Sequence, residues 1–557
     1  MKKVLSRVAL LLPFTVVPLE SRMLSRIFGA ILVGISMLAI PTPVSANHVP
    51  AVIPNQGEPE LDTPIKKIPR PIIGALRAPL RELPQIENFQ IIGHDVIPNP
   101  NDIRPRGRNG GIGIQDDCLY VANRLTRRSG TGAHFGNTEL PPEIAIIDIA
   151  DPKQLRTVGH FSTILGSNNR EIRTIPDRNT LIVLNVGTVD NLAIYDVTNC
   201  RTPVLTKTID FGADEGHEFF VWRDPQNLRR FVIYVSHSGV EPGLRAYEVM
   251  SPPNGSVNNV PVATFTLAPA VPRNEPTDPD RYRDDHFVFT TKPTSQTNSL
   301  HSMSVSENGK RVYMANSQAG YFILDSSRLA AGLPCIPNTV TVDETTNLNP
   351  NLCLRKINPD PGARYDQTPP FGGIHHSIYP VPGRPGPFGN PQYAVTGGER
   401  NGTVTCPWTP GQILDVTDEM NPTVVSRYMV PENLGENCFV GGPGDPALFR
   451  EFSTHQPLLF PNLFFLTWYS AGFRAWDIAN PSLPLEVGVF VPRPETNVVE
   501  YFRDSPDVWM WPFPILHNGL IYVTDENSGL YVLRYTGRRA KELPQRGTFL
   551  SNITNIR

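Results

Sequence analysis

Charge is scarce in this chain. Asp, Glu, Lys and Arg make up 18% of its 557 residues, and the formal net charge is −3. A surface this close to neutral gives no electrostatic reason to expect nucleic acid or an anionic membrane as partner. So little charge, beside 43 Gly and 58 Pro, also argues against long helices. No Cys-x-x-Cys is present, so a cysteine-built zinc or redox site is not expected. Gly-x-Ser-x-Gly, the phosphate-loop pattern, the Rossmann glycines and His-Glu-x-x-His are missing as well, which removes the chemistries they serve. Gly397-Gly-Glu-Arg-Asn-Gly402 reads as a turn after a strand, and the carboxylates are too dispersed to single out a glycosidase pair.

Long apolar runs are also few. Ile27–Ile40 is the main one, preceded by the basic head Met23-Leu-Ser-Arg26 and followed by Val44-Ser-Ala46. That is the grammar of a secretory leader with a small-x-small cleavage site, so residues 1–46 are expected to be removed. Residues 1–22 repeat the pattern less well, which leaves Met23 as an alternative start. The mature chain is expected to be secreted or periplasmic, monomeric, and without an integral membrane span. Its six cysteines then suggest disulfides: Cys335 with Cys353, Cys406 with Cys438, and Cys118 with Cys200 linking the first two repeats.

What is abundant is short strand signal. In Ser453–Pro492 four runs, Leu458–Phe460, Leu463–Thr467, Phe473–Ile478 and Leu485–Val491, are parted by Pro-Asn, Ser-Ala-Gly and Asn-Pro breakers. About 40 residues holding four antiparallel strands is the unit of a β-propeller blade. The third strand recurs seven times: IAIIDI from Ile144, LAIYDV from Leu192, LRAYEV from Leu244, YFILD from Tyr321, ILDV from Ile413, FRAWDI from Phe473 and LYVLRY from Leu530. The acidic residue near its end is expected to bind backbone N–H groups of the following turn, as scaffold rather than catalyst. Each third strand follows a second, such as Cys118-Leu-Tyr-Val-Ala and Leu520-Ile-Tyr-Val-Thr.

The chain is therefore read as all-β, a seven-bladed β-propeller over residues 88–537. A proline-rich arm (47–87) precedes it and a tail (538–557) follows. Gln90-Ile-Ile-Gly93 matches the outer-strand pattern Leu485-Glu-Val-Gly488 and has no blade of its own. It is expected to complete the last blade and close the ring, removing open sheet edges. Insertions at Arg124–Pro142, Pro252–Ser299, Ala330–Thr368 and Pro431–Phe452 are expected to build a binding face.

The segments AIIDIADP, AIYDVTN, ILDVTDEMNP, RAWDIANP and GLYVLRY resemble the LVIVD-repeat family of exported bacterial propellers. Glu248 and Arg534 depart from the pattern by replacing the Asp, and the fourth blade lacks the Asn-Pro that follows. The resemblance implies a propeller and export, and little chemistry.

Chemistry is suggested by the first strands. Four consecutive blades begin them with histidine: Gly216-His217-Glu, Leu300-His301-Ser, His375-His376-Ser and Thr454-His455-Gln. Innermost strands surround the axis, so equal heights on neighbouring blades converge there. Four imidazoles brought together suit a transition metal, with iron or copper the expected cofactor. They must stay largely neutral or hold a cation, since together they would repel if ionised. His217, His301, His376 and His455 are the expected ligands. Glu171 and His375 are expected beside them in supporting catalytic roles, Glu171 orienting a ligand histidine or ligating directly.

In the second blade Glu171 is placed in register with the histidines, in the seventh Trp511, and in the first only glycines near Gly111. The axial placement is similar in arrangement to the carotenoid-cleaving oxygenases and to methanethiol oxidase of the selenium-binding-protein family. A metal-dependent oxidoreductase or oxygenase acting on a small molecule is the leading expectation. A metal-free propeller binding protein or glycan is the alternative.

Overall fold

The computed structural model describes residues 84–124, 126–128, 134–136, 142–165, 167–187, 189–212, 215–238, 243–266, 300–316, 320–336, 352–357, 374–386, 389–399, 410–433, 451–499 and 506–554. The leader, most of the arm and most of the four insertions lie outside these residues.

Short β-branched and aromatic runs, interrupted by turn residues about every ten positions, fold into meanders rather than helices. Seven such meanders form seven sheets, and together they make a seven-bladed propeller. Blade 1 runs from axis to rim as Asn109–Gln115, Cys118–Asn123, Glu143–Asp148 and Arg156–Ser162. Blade 6 runs Pro457–Leu459, Leu463–Thr467, Phe473–Asp477 and Leu485–Val491, within a residue of the strands expected there. All seven expected third strands form. Each of the five that end in Asp caps the next turn: Asp148, Asp196, Asp325, Asp415 and Asp477 accept from a backbone N–H two residues on, at 2.8–3.1 Å. The repeated carboxylate is a turn-builder.

The ring closes with Phe89–Asp95, which pairs with Gly529–Tyr535 as the outer strand of blade 7. Just before it, Gln85–Glu87 adds a fifth strand to the outside of blade 6, so the end of the arm spans two blades. Outer strands share a bulge. Ile92, Val158 and Val487 are skipped by the partner strand, one residue before Gly93, Gly159 and Gly488. At Gly93 a Cβ would sit 2.0 Å from the carbonyl oxygen of Pro152, which explains the glycine at that position, whereas at Gly159 a Cβ would meet nothing within 4 Å.

The tail is held as well. Thr548–Phe549 pairs with Ile515–His517 of blade 7, and Ile553–Thr554 pairs in parallel with Val221 and Trp222 of blade 3. Between them Ser551 Oγ accepts from Leu459 N of blade 6 at 2.8 Å. The tail thus crosses from one side of the ring to the other at the far ends of the innermost strands.

Cys118–Cys200 ties blade 1 to blade 2, and Cys335–Cys353 closes a loop after the third strand of blade 4, as expected. Cys406 and Cys438 lie outside the described residues. No helix among the described residues is long and apolar enough to cross a membrane.

Closure depends on one side chain in particular. Phe89 is buried against Phe465, Phe473, Phe490 and Tyr535, with ring centroids 5.2–6.5 Å apart. Phe89→Ala is expected to cost about 3–5 kcal/mol, the range for removing a packed aromatic. Chemical denaturation checks this, and a loss under about 1 kcal/mol would show that the N-terminal strand does not latch the ring.

Candidate metal centre

The innermost strands carry a recurrent irregularity at one height. In blade 2 Asn169 and Glu171 pair with consecutive residues of the second strand, leaving Arg170 extra. In blade 4 His301 is extra in the same way, and in blade 5 His376. In blade 3 His217 and Glu218 together oppose Ser236, and in blade 1 Gly110 and Gly111 oppose Ala122. In blade 6 the N–H of His455 donates to the carbonyl of Thr467, whose own N–H donates to Gln456. A bulge of this kind lets the extra residue leave the two-fold alternation of a strand and re-aim its side chain. Repeated round the ring, it turns four imidazoles toward one another.

The geometry follows. Ring centroids step round the axis at 4.3 Å from His217 to His301, 4.1 Å from His301 to His376 and 4.0 Å from His376 to His455. His217 Nε2 lies 3.0 Å from His301 Nε2. Two carboxylates join them, and neither was singled out in the sequence. Glu399, at the end of the second strand of blade 5, places its oxygens 3.1 Å from His301 Nε2, 3.8 Å from His376 Nε2 and 4.0 Å from His455 Nε2. Glu218 lies 3.7 Å from His376 Nε2 and 3.8 Å from His301 Nδ1. Three overlapping trios result: His217/Glu218/His301, Glu218/His376/His455 and His301/His376/Glu399.

Several of these separations are too long for hydrogen bonds and suit neighbouring ligands of one ion. Donors about 2.0–2.1 Å from a common first-row metal are separated by roughly 3 to 4 Å, depending on geometry. His376 Nε2 is buried and makes no hydrogen bond. Such an atom is costly unless a ligand satisfies it.

Burial dominates the electrostatics. It pushes the His217, His376 and His455 imidazoles well below the usual histidine range. Arg170 and His301 add to this for His217, and neighbouring imidazoles for His376. They are therefore neutral, with lone pairs available to a cation. Burial and the nearby Glu171 raise the Glu218 carboxyl well above its ordinary value. Burial would raise Glu399 too, but His376, His301 and His455 draw it well below the carboxylate range. Glu399 is thus the ionised member. Its Oε1 accepts a hydrogen bond from the Tyr469 hydroxyl at 2.5 Å. Tyr469 itself sits at φ 36°, a strained conformation for an aromatic residue, and such strain gathers at functional sites.

Other expected residues fall differently. Glu171 does not share the height of the histidines. Arg170 takes that place, because the bulge inserts one residue before Glu171, which aligns instead with Glu218. Glu171 forms a buried ion pair with Arg173 at 3.0 Å. His375 packs edge-on against Tyr321, 4.9 Å between centroids, while its neighbour His376 enters the cluster. Trp511 does stand beside His455, at 5.3 Å. His237 lies within the second strand of blade 3 and packs on Phe211.

No protein-family model matches the chain, and no curated protein matches it. Solved structures similar to it include a protein from Lactobacillus plantarum at 10% identity, covering 70% of this chain and 87% of that one with TM-score 0.40. Chaetomium thermophilum Sqt1 is similar at 8% identity, covering 79% and 86%, TM-score 0.40. The Cps50 (Swd1) β-propeller domain of Myceliophteria thermophila is similar at 10% identity, covering 78% and 98%, TM-score 0.40.

Neutral buried imidazoles carry a linkage consequence. Their folded pKa values lie below that of an unfolded histidine, about 6.5. Their stabilising share is therefore complete above that pH and is lost as pH falls below it. Protein stripped of metal is expected to lose up to about 1.4 kcal/mol per pH unit for each such imidazole between pH 6.5 and 5. Denaturation midpoints for wild type and His376→Asn check this. Equal slopes for the two would refute it.

Proposed function

We propose that the chain is an exported, metal-dependent oxidoreductase or oxygenase whose ion sits on the propeller axis. One observation carries the reading: four imidazoles and two carboxylates from four consecutive blades converge into three overlapping trios, each with donors close enough together to hold an ion. His217, His301, His376, His455 and Glu399 would hold the ion, and Glu218 would join them on losing its proton. The donor set has no thiolate. His301, His376 and Glu399 form a two-histidine, one-carboxylate trio, the composition used by non-haem iron in oxygenases, so iron is favoured and copper is second. Such a metal supplies redox chemistry and activation of dioxygen.

The protein's own residues set the conditions. Tyr469 orients Glu399, and Gln456 donates to Glu218 at 2.8 Å and fixes its position. Trp511 packs edge-on against His455, and the Tyr379 hydroxyl donates to Gln456 at 3.4 Å. The LVIVD-type repeat and export belong to the same proposal. They are supported by the seven third strands, the leader grammar and the two disulfides.

Metal analysis of the purified, metal-replete protein tests this. About one equivalent of iron or copper is expected, with His301→Ala/His376→Ala retaining under about a tenth of it. Wild-type protein without a stoichiometric transition metal would refute the metal reading and leave a binding scaffold for protein or glycan.

A further inference from the structure

The ring of bulges is not symmetric, and the break in it carries information. Going round the axis, the extra residues are Gly110 and Gly111, Arg170, and then the four histidines, with Trp511 completing the circuit. The sector between Trp511 and Arg170 therefore has no imidazole, and blade 1 contributes no side chain to it. Two guanidiniums stand beside this gap. Arg124, just beyond the second strand of blade 1, lies over the Trp511 ring at 4.7 Å and pairs with the buried Glu526 at 3.2 Å. Arg170 differs from it. Among the described residues it makes no ion pair, its Nε is buried without a partner, and its Nη2 lies 2.8 Å from His217 Nε2.

Half-buried positions of the cluster are Arg170, His217, Glu399 and Arg124, whereas Glu218, His376 and His455 are fully enclosed. Solvent thus reaches the cluster at Arg170 and His217 as well as at Glu399.

Arg170 is a cation aimed at the lone pair that a metal would use. Once His217 Nε2 is committed to an ion, Arg170 loses that acceptor and faces a second positive charge. An anion between the two resolves both problems: it gives the guanidinium paired acceptors and offsets the like charges. Resting on the metal reading above, we propose that Arg170 binds the carboxylate of a small organic anion at its partly exposed edge of the cluster, beside the metal. The substrate class of the site is then a small carboxylate-bearing molecule, held with its anionic end between Arg170 and the ion.

Calorimetric titration of acetate into the full-length protein, with metal content measured on the same samples, tests this. Metal-loaded wild type is expected to bind acetate saturably. Arg170→Gln is expected to keep the metal and weaken acetate about tenfold or more. Arg170→Lys, which keeps the charge and loses the fork, should fall between them and guards against misfolding of the first variant. Loaded protein that binds no acetate, or a folded Arg170→Gln that binds it as wild type does, overturns the anion site and leaves the metal reading standing. Should the protein take up no metal, acetate binding that still depends on Arg170 supports the anion site and sinks the metal reading. Absence of both refutes both.

Discussion

The candidate centre rests on a defect in strand pairing. A regular innermost strand would send alternate side chains to opposite faces, into the packed layers between blades. One skipped residue at the same height in blade after blade breaks that alternation and frees a side chain for the axis. The cost is a local loss of ladder hydrogen bonds, offset partly by substitutes such as the hydroxyl of Ser236, which accepts from the N–H of Glu218 at 2.9 Å. A propeller repeats its geometry, so a device that works in one blade is available in all. Here it serves glycine, arginine and histidine in turn, and the choice of residue alone decides what the axis can hold.

Bringing ionisable groups together in a buried space sets a second constraint. Four imidazoles cannot all carry charge with successive rings about 4 Å apart, and two carboxylates cannot both be anionic without a counter-ion. Division of labour resolves this: neutral imidazoles at His217, His376 and His455, one ionised carboxylate at Glu399 fixed by Tyr469, and one raised carboxyl at Glu218. Beneath them Glu171 and Arg173 neutralise each other, with the guanidinium also 4.4 Å from the Phe513 ring. The polar interior is ordered in layers, with the adaptable charge uppermost.

Much of this was legible in the sequence, and the failures share a cause. Seven third strands, their capping aspartates, two cysteine pairs and the closing strand follow from local patterns that recur, and repetition multiplies a weak signal. The four histidines were found the same way. Glu399 was not, because it lies at the end of a second strand and reaches the axis only through the fold. Glu218 was passed over because an unbroken strand would turn it away from His217. The same assumption placed Glu171 one position out of register, where Arg170 belongs. Bulges leave no mark in composition, although serine or glutamine after three of the histidines is a trace of the polar layer beneath.

The pairing of Phe89–Asp95 with Gly529–Tyr535 joins a strand that precedes the first blade to the last blade made. Some four hundred residues must be synthesised before this seam can form. Until then that strand waits without neighbours and the final sheet has an uncovered rim. The ring is therefore a structure without partial credit: a truncated or still-emerging chain has two ragged borders, whereas the finished one has none. Late sealing by a strand from near the start of the ring makes the whole propeller, rather than any one blade, the unit that gains its closing contacts.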